Sequence, residues 1–134
     1  MPHLNEAKEG KPTLLNLRDL TGEGIAAQFV LFEYLNCGGA LTSVFGYSRA
    51  LDRAVQYPIE LVEGTEKGER VLWIGHTFEE KPRRPGYWDF NYEPGHGADG
   101  ILHFRVQFDR ARQVFVQRQI SFTPYPDMPL LKRR

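Results

Sequence analysis

The chain has 134 residues, 17 Lys plus Arg against 17 Asp plus Glu, and is 41% hydrophobic. That is the size of one ordinary domain, and a balanced charge gives no global field to draw in nucleic acid or an anionic membrane. A single cysteine, Cys37, excludes an intrachain disulfide, and no apolar run reaches the length of a membrane-spanning helix.

Residues 1–12 are polar, contain Gly10 and Pro12, and read as a flexible arm. The opening Met1–Glu6 lacks the basic segment and apolar run of a signal peptide, so a cytoplasmic protein is expected. A chain processed after export would read the same. Thr13–Leu20 is a weak first strand, and Thr21-Gly22-Glu23-Gly24 a turn. Ile25–Asn36 is rich in β-branched and aromatic residues, which favours a buried strand ending in a turn at Asn36-Cys37-Gly38-Gly39.

One motif occurs twice. Leu51-Asp52-Arg53-Ala54-Val55-Gln56-Tyr57 and Phe108-Asp109-Arg110-Ala111-Arg112-Gln113-Val114 share the pattern apolar-Asp-Arg-Ala-x-Gln-apolar. Asp opens tight turns because its carboxylate accepts bonds from nearby backbone N–H groups. Alternating apolar residues on both sides predict a hairpin at each copy. With Asp52-Arg53-Ala54 as the first loop, Leu51 faces Val55 and Tyr47 faces Ile59. With Asp109-Arg110-Ala111 as the second, Val106 meets Val114 and His103 meets Gln117.

Between these hairpins, Arg70–Phe78 reads as a strand with both faces buried, and Tyr87–Tyr92 alternates Trp88, Phe90 and Tyr92 against Asp89 and Asn91. Residues 79–86 and 93–100 are Pro- and Gly-containing loops. From Pro124 onward the tail, with Pro126 and Pro129, is extended and polyproline-like.

The expected fold is therefore all-β: an antiparallel β-meander of seven or eight strands forming a small barrel or a sandwich. A single β domain would span 13–123, with the arm before it and the Pro-rich tail 124–134 after it. The alternative is α+β, with helices near 22–36 and 43–56, the second ending naturally before Pro58.

Few residues carry a chemical signal. His76 lies among Leu72, Ile74 and Phe78 and should be buried, as a general base or as a core histidine bonded to backbone. His103 and Arg105 point the same way from one strand, joined by Gln107, Gln117 and Gln119. That polar face could hold a carboxylate or phosphate if it lined a cavity, but the alternation favours a solvated surface. Trp73, Trp88, His103 and Arg105 are the residues offered for ligand contact. Lys81, Arg83 and Arg84 beside Tyr87 and Trp88 raise single-strand binding, with a charged loop beside core aromatics favoured.

Asp89–Glu93 begins like a calcium loop but has Pro94 where that loop needs Gly and Gly100 where it needs Glu. Glu93, His96 and Asp99 lack paired ligand spacing. Cys37 has no neighbour to stabilise a thiolate. No metal and no cofactor are expected, no membrane association, and no nucleic-acid partner. The expected function is non-catalytic binding of a protein partner or an apolar small molecule. The alternative is a small β-barrel enzyme using His76, or His103 with Arg105, for acid–base chemistry on a small anionic substrate. The sequence assigns no oligomeric state.

Overall fold

Among the described residues there are nine strands, most of them built on β-branched and aromatic residues. They are β1 (Gln28–Leu35), β2 (Gly39–Ser48), β3 (Arg53–Tyr57), β4 (Ile59–Leu61), β5 (Gly68–Arg70), β6 (Trp73–Ile74), β7 (Tyr87–Tyr92), β8 (Gly100–Asp109) and β9 (Val114–Pro124). A computed structural model describes residues 16–35, 39–64, 67–75, 77–93 and 97–126. Among them the one helical element is a 3-10 turn at Thr77–Glu79, so the fold is all-β and the helices weighed for 22–36 and 43–56 do not form.

The strands make two sheets. One has the order β1-β2-β3, with the short β6 also on β2; the other runs β5-β4-β9-β8-β7. Neither closes on itself, so the architecture is two packed sheets and not a barrel. Nor is it a pure antiparallel meander. β4 runs parallel to β9, with Ile59 opposite Phe115 and Leu61 opposite Gln117. Pro58 marks the switch. It has no N–H to continue the β3 ladder, and its carbonyl instead accepts the Phe115 N–H at 3.0 Å, handing the chain to the other sheet.

The inner faces share one core. Val44, Tyr57 and Trp73 come from the first sheet, and Ile59, Trp88, Phe90, Val106, Phe108 and Phe115 from the second. Phe78, delivered by the 3-10 turn, sits between them, with ring centroids 6.1 Å from Trp73, 5.1 Å from Trp88 and 5.2 Å from Phe115. These near-perpendicular arrangements put ring edges against ring faces, the favoured geometry for aromatic pairs. The buried Gln28 side chain accepts the Leu20 N–H at 2.7 Å, which ties residues 18–21 across β1.

Both repeated turns differ in phase from the expectation. Ser48 pairs with Arg53 and Gly46 with Val55; Asp109 pairs with Val114 and Val106 with Gln117. The loops are therefore Arg49–Asp52 and Arg110–Gln113, each ending on a left-handed non-glycine residue, Asp52 at φ 52° and Gln113 at φ 58°. The two motif copies are not equivalent. Asp109 opens its turn and accepts the Arg112 N–H at 3.2 Å, whereas Asp52 closes its turn and is bonded by the Tyr47 hydroxyl. Both pairings are displaced by an odd number of residues, which exchanges the faces of a strand. Tyr47 and Leu51 consequently lie outside, Gln117 turns inward, and Arg118 takes the outer place.

Arg70–Phe78 is not one strand. β5 ends at Arg70, Val71 and Leu72 are exposed, and β6 joins the opposite sheet through Leu41 and Thr42. Of Thr13–Leu20, Arg18 makes only an isolated bridge to Gln28. His76, Cys37, His96 and residues 127–134 lie outside the described residues, as do 1–15. β7 matches its expected span, with Trp88 and Phe90 buried.

Candidate functional site

Alternation on β7 and β8 turns Phe90, Tyr92 and Phe104 inward at the edge of the core, where Phe90 and Phe104 pair across the strands and stack at 5.4 Å. Gln117 occupies the inward place on β9, in a row that runs Trp88, Val106, Gln117, Leu61 across four strands. Phe90, Tyr92, Phe104, Gln117 and Leu61, with Trp73 and Arg70, line a partly open cavity of about 170 Å³ between the sheets. Its walls are mostly apolar. A cavity of roughly 150 Å³ with such walls accepts one benzene ring.

Two wall residues are anomalous. The indole Nε1 of Trp73 and the amide Oε1 of Gln117 are buried and have no hydrogen-bond partner. Leaving a buried polar group unsatisfied costs about 1–3 kcal/mol, so each such atom in a folded protein asks for an explanation. Thr77 Oγ1 and Trp88 Nε1, outside the cavity, are buried and unpartnered in the same way, and all four atoms are sealed from solvent, so the cavity surface is mainly apolar.

The outer face of the same sheet is polar, and three rows cross it. In the first, His103 Nδ1 lies 2.6 Å from Asn91 Oδ1 and Nε2 lies 2.7 Å from Thr123 Oγ1. Since the Asn oxygen only accepts, Nδ1–H donates to it, and Nε2 meets the Thr123 hydroxyl on the other side of the ring. In the second, Asp89 receives the Arg105 Nε at 2.9 Å and the Arg83 Nη1 at 2.7 Å. The hydrogen bond from Arg105, reinforced by Arg83, holds the Asp89 carboxyl below its ordinary range, and the same bond raises Arg105. Arg118 stands directly opposite Arg105 on β9. The third row is Tyr87, Gln107 and Val116, with the Arg84 and Arg105 guanidinium carbons 4.3 and 5.0 Å from the Tyr87 ring centroid. An open groove of about 370 Å³ follows rows two and three to the turn at Asp109 and Arg110.

The structure thus distributes the residues singled out in the sequence. Trp73 lines the cavity. Trp88 is in the core beneath it, with the Arg18 guanidinium 5.5 Å from its ring centroid, and presents no face beside Arg83 and Arg84. His103 and Arg105 share the outer face, and only Arg105 lines the groove. The Asn91–His103–Thr123 chain has the order of an orienting group, a base and a hydroxyl, but none of the three lines the cavity or the groove. Among the described residues no group of three or more His, Cys, Asp or Glu is placed to hold a metal, and no helix is long and apolar enough to cross a membrane.

Gln117 and Arg118 were not legible as cavity and groove residues. Val114, Phe115 and Val116 are all apolar, so the start of β9 carries no alternation to choose a face. The usable signal is the left-handed residue at the end of each turn, and Gln is an uncommon occupant of that conformation.

No family model matches the chain, and neither a curated protein nor a solved structure does.

Proposed function

We propose that this domain is a non-catalytic binding module for a small, mainly apolar, single-ring molecule seated between the two sheets. The observation that carries the reading is the partly open, mostly aromatic cavity of about 170 Å³ between the sheets, walled by Trp73, Phe90, Tyr92 and Phe104. Apolar walls with a few polar groups are the usual design of a small-molecule site: the walls supply affinity and the polar atoms fix orientation. The cavity is below the ~300–1,000 Å³ common for drug-sized ligands, which limits the ligand to about one ring. The Trp73 Nε1 and Gln117 Oε1 atoms are sealed from the empty cavity, so a ligand carrying one acceptor and one donor gains bonds to them on a rotation of those two side chains.

Benzamide meets both requirements and serves as the probe. In a ¹⁵N-correlated NMR titration it should move the Trp73 indole N–H signal saturably while the Trp88 indole signal moves little. Toluene, with the same ring and no polar group, should bind more weakly. Equal shifts at both indoles, or no saturation with either compound, would overturn the reading.

A further inference from the structure

We propose that the groove on the outer face of the five-stranded sheet is a second binding site, specific for a small oxyanion held between Arg105 and Arg118. It stands on the opposite side of the sheet from the cavity and does not depend on it. Arg105 and Arg118 are direct cross-strand partners, and like charges so placed destabilise a sheet. Arg105 is balanced by Asp89, which it meets through two nitrogens. The third arginine lining the groove, Arg110, reaches only to within 3.7 Å of Glu23. Arg118 makes no ion pair with any described residue. The excess positive charge of the row therefore sits at Arg118, across from a guanidinium already fixed by Asp89 and by the Tyr87 ring.

An oxyanion with two or more oxygens relieves that repulsion. It bridges the two guanidiniums, whose planar forks match phosphate and carboxylate geometry. Gln107 adds an amide donor beside the pair, and Val116 gives an apolar floor. The anchoring also sets the division of labour: Arg105 is preorganised and Arg118 closes on the ligand. Tyr87, attended by two cations, is poorly placed to stack a base, so the groove suits a small anion better than a nucleic-acid strand.

The test is a titration with inorganic phosphate and, in a second arm, succinate, at constant ionic strength set with sodium chloride. The readout is the ¹⁵N arginine side-chain signals. Saturable shifts at Arg105 and Arg118 with either anion support the proposal, and the tighter arm identifies the source of the oxyanion. Arg118→Gln should weaken binding by about tenfold or more, as loss of a charge-assisted bond does. The Arg118 side chain is exposed and makes no bond to a described residue, so this variant should fold. Arg49→Gln removes an exposed arginine that does not line the groove and should leave binding unchanged. Non-saturating shifts in both arms, or equal affinity in Arg118→Gln and the parent, would overturn the proposal.

Discussion

Gln117→Leu should stabilise the fold while impairing the cavity. Gln117 lies inward between Val106, which is fully buried, and Leu61, and its Oε1 has no partner. Relieving an unsatisfied buried acceptor returns about 1–3 kcal/mol. Part of the side chain reaches water, so the lower half of that range applies. Burying a leucine of similar volume adds a few tenths at about 25 cal/mol per Å² of newly covered apolar surface. The net expectation is a gain of about 1–2.5 kcal/mol. For a chain of this size that raises Tm by roughly 3–10 °C. Urea unfolding followed by far-UV circular dichroism measures it as a higher midpoint at unchanged slope. The same variant should weaken benzamide, since the acceptor is gone. A loss of more than about 0.5 kcal/mol would refute the reasoning. It would mean that the Gln117 amide has a satisfied role in the core, and that the cavity was not kept polar for a ligand at a cost in stability.

Phe104→Ala should destabilise by about 2–4 kcal/mol in the same assay, below the full range for a buried phenylalanine because Phe104 is half-buried against Phe90. Gly46→Ala should cost at least about 2 kcal/mol on thermal unfolding, because a Cβ there would stand 2.4 Å from the Ala27 carbonyl oxygen where β1 and β2 meet. Asp89 has a lowered carboxyl pKa in the folded state, so its stabilisation is complete above the ordinary value of 3.8 and is lost as pH falls through the depressed one. Asp89→Asn should remove that acid-limb loss while lowering stability at neutral pH, read from unfolding midpoints between about pH 2 and 7.

The strands were legible where one face is polar. β7 alternates Trp88 and Phe90 with Asp89 and Asn91, and its span follows directly. The outward place of His103 and Arg105 was legible for the same reason. Registers were not, because they depend on which turn residue turns left-handed, and Asp52 and Gln113 occupy different places in the same motif. The sheet switch at Pro58 was visible as a ladder break but not as a crossing, since local pattern says nothing of a partner as distant as Phe115. The cavity was illegible because it joins six elements and hinges on the inward Gln117. Of its lining, Trp73 was offered for ligand contact, while Gln117 was read on the outer polar face beside His103 and Arg105.

The placement of β4 and β5 has a consequence for the chain as a polymer. They belong to the sheet of β7–β9, while β3 before them and β6 after them belong to the other sheet. Each sheet is thus threaded with strands from both halves of the sequence. A cut in the 62–67 connection would strand β4 with the amino-terminal piece and β6 with the carboxy-terminal piece, leaving each piece with an uncovered aromatic face. Two such fragments are expected to be insoluble alone and to recover the native sheet only when mixed. Assembly of the intact chain must likewise wait for the closure that brings Ile59 beside Phe115, a long-range step of the kind that slows β proteins.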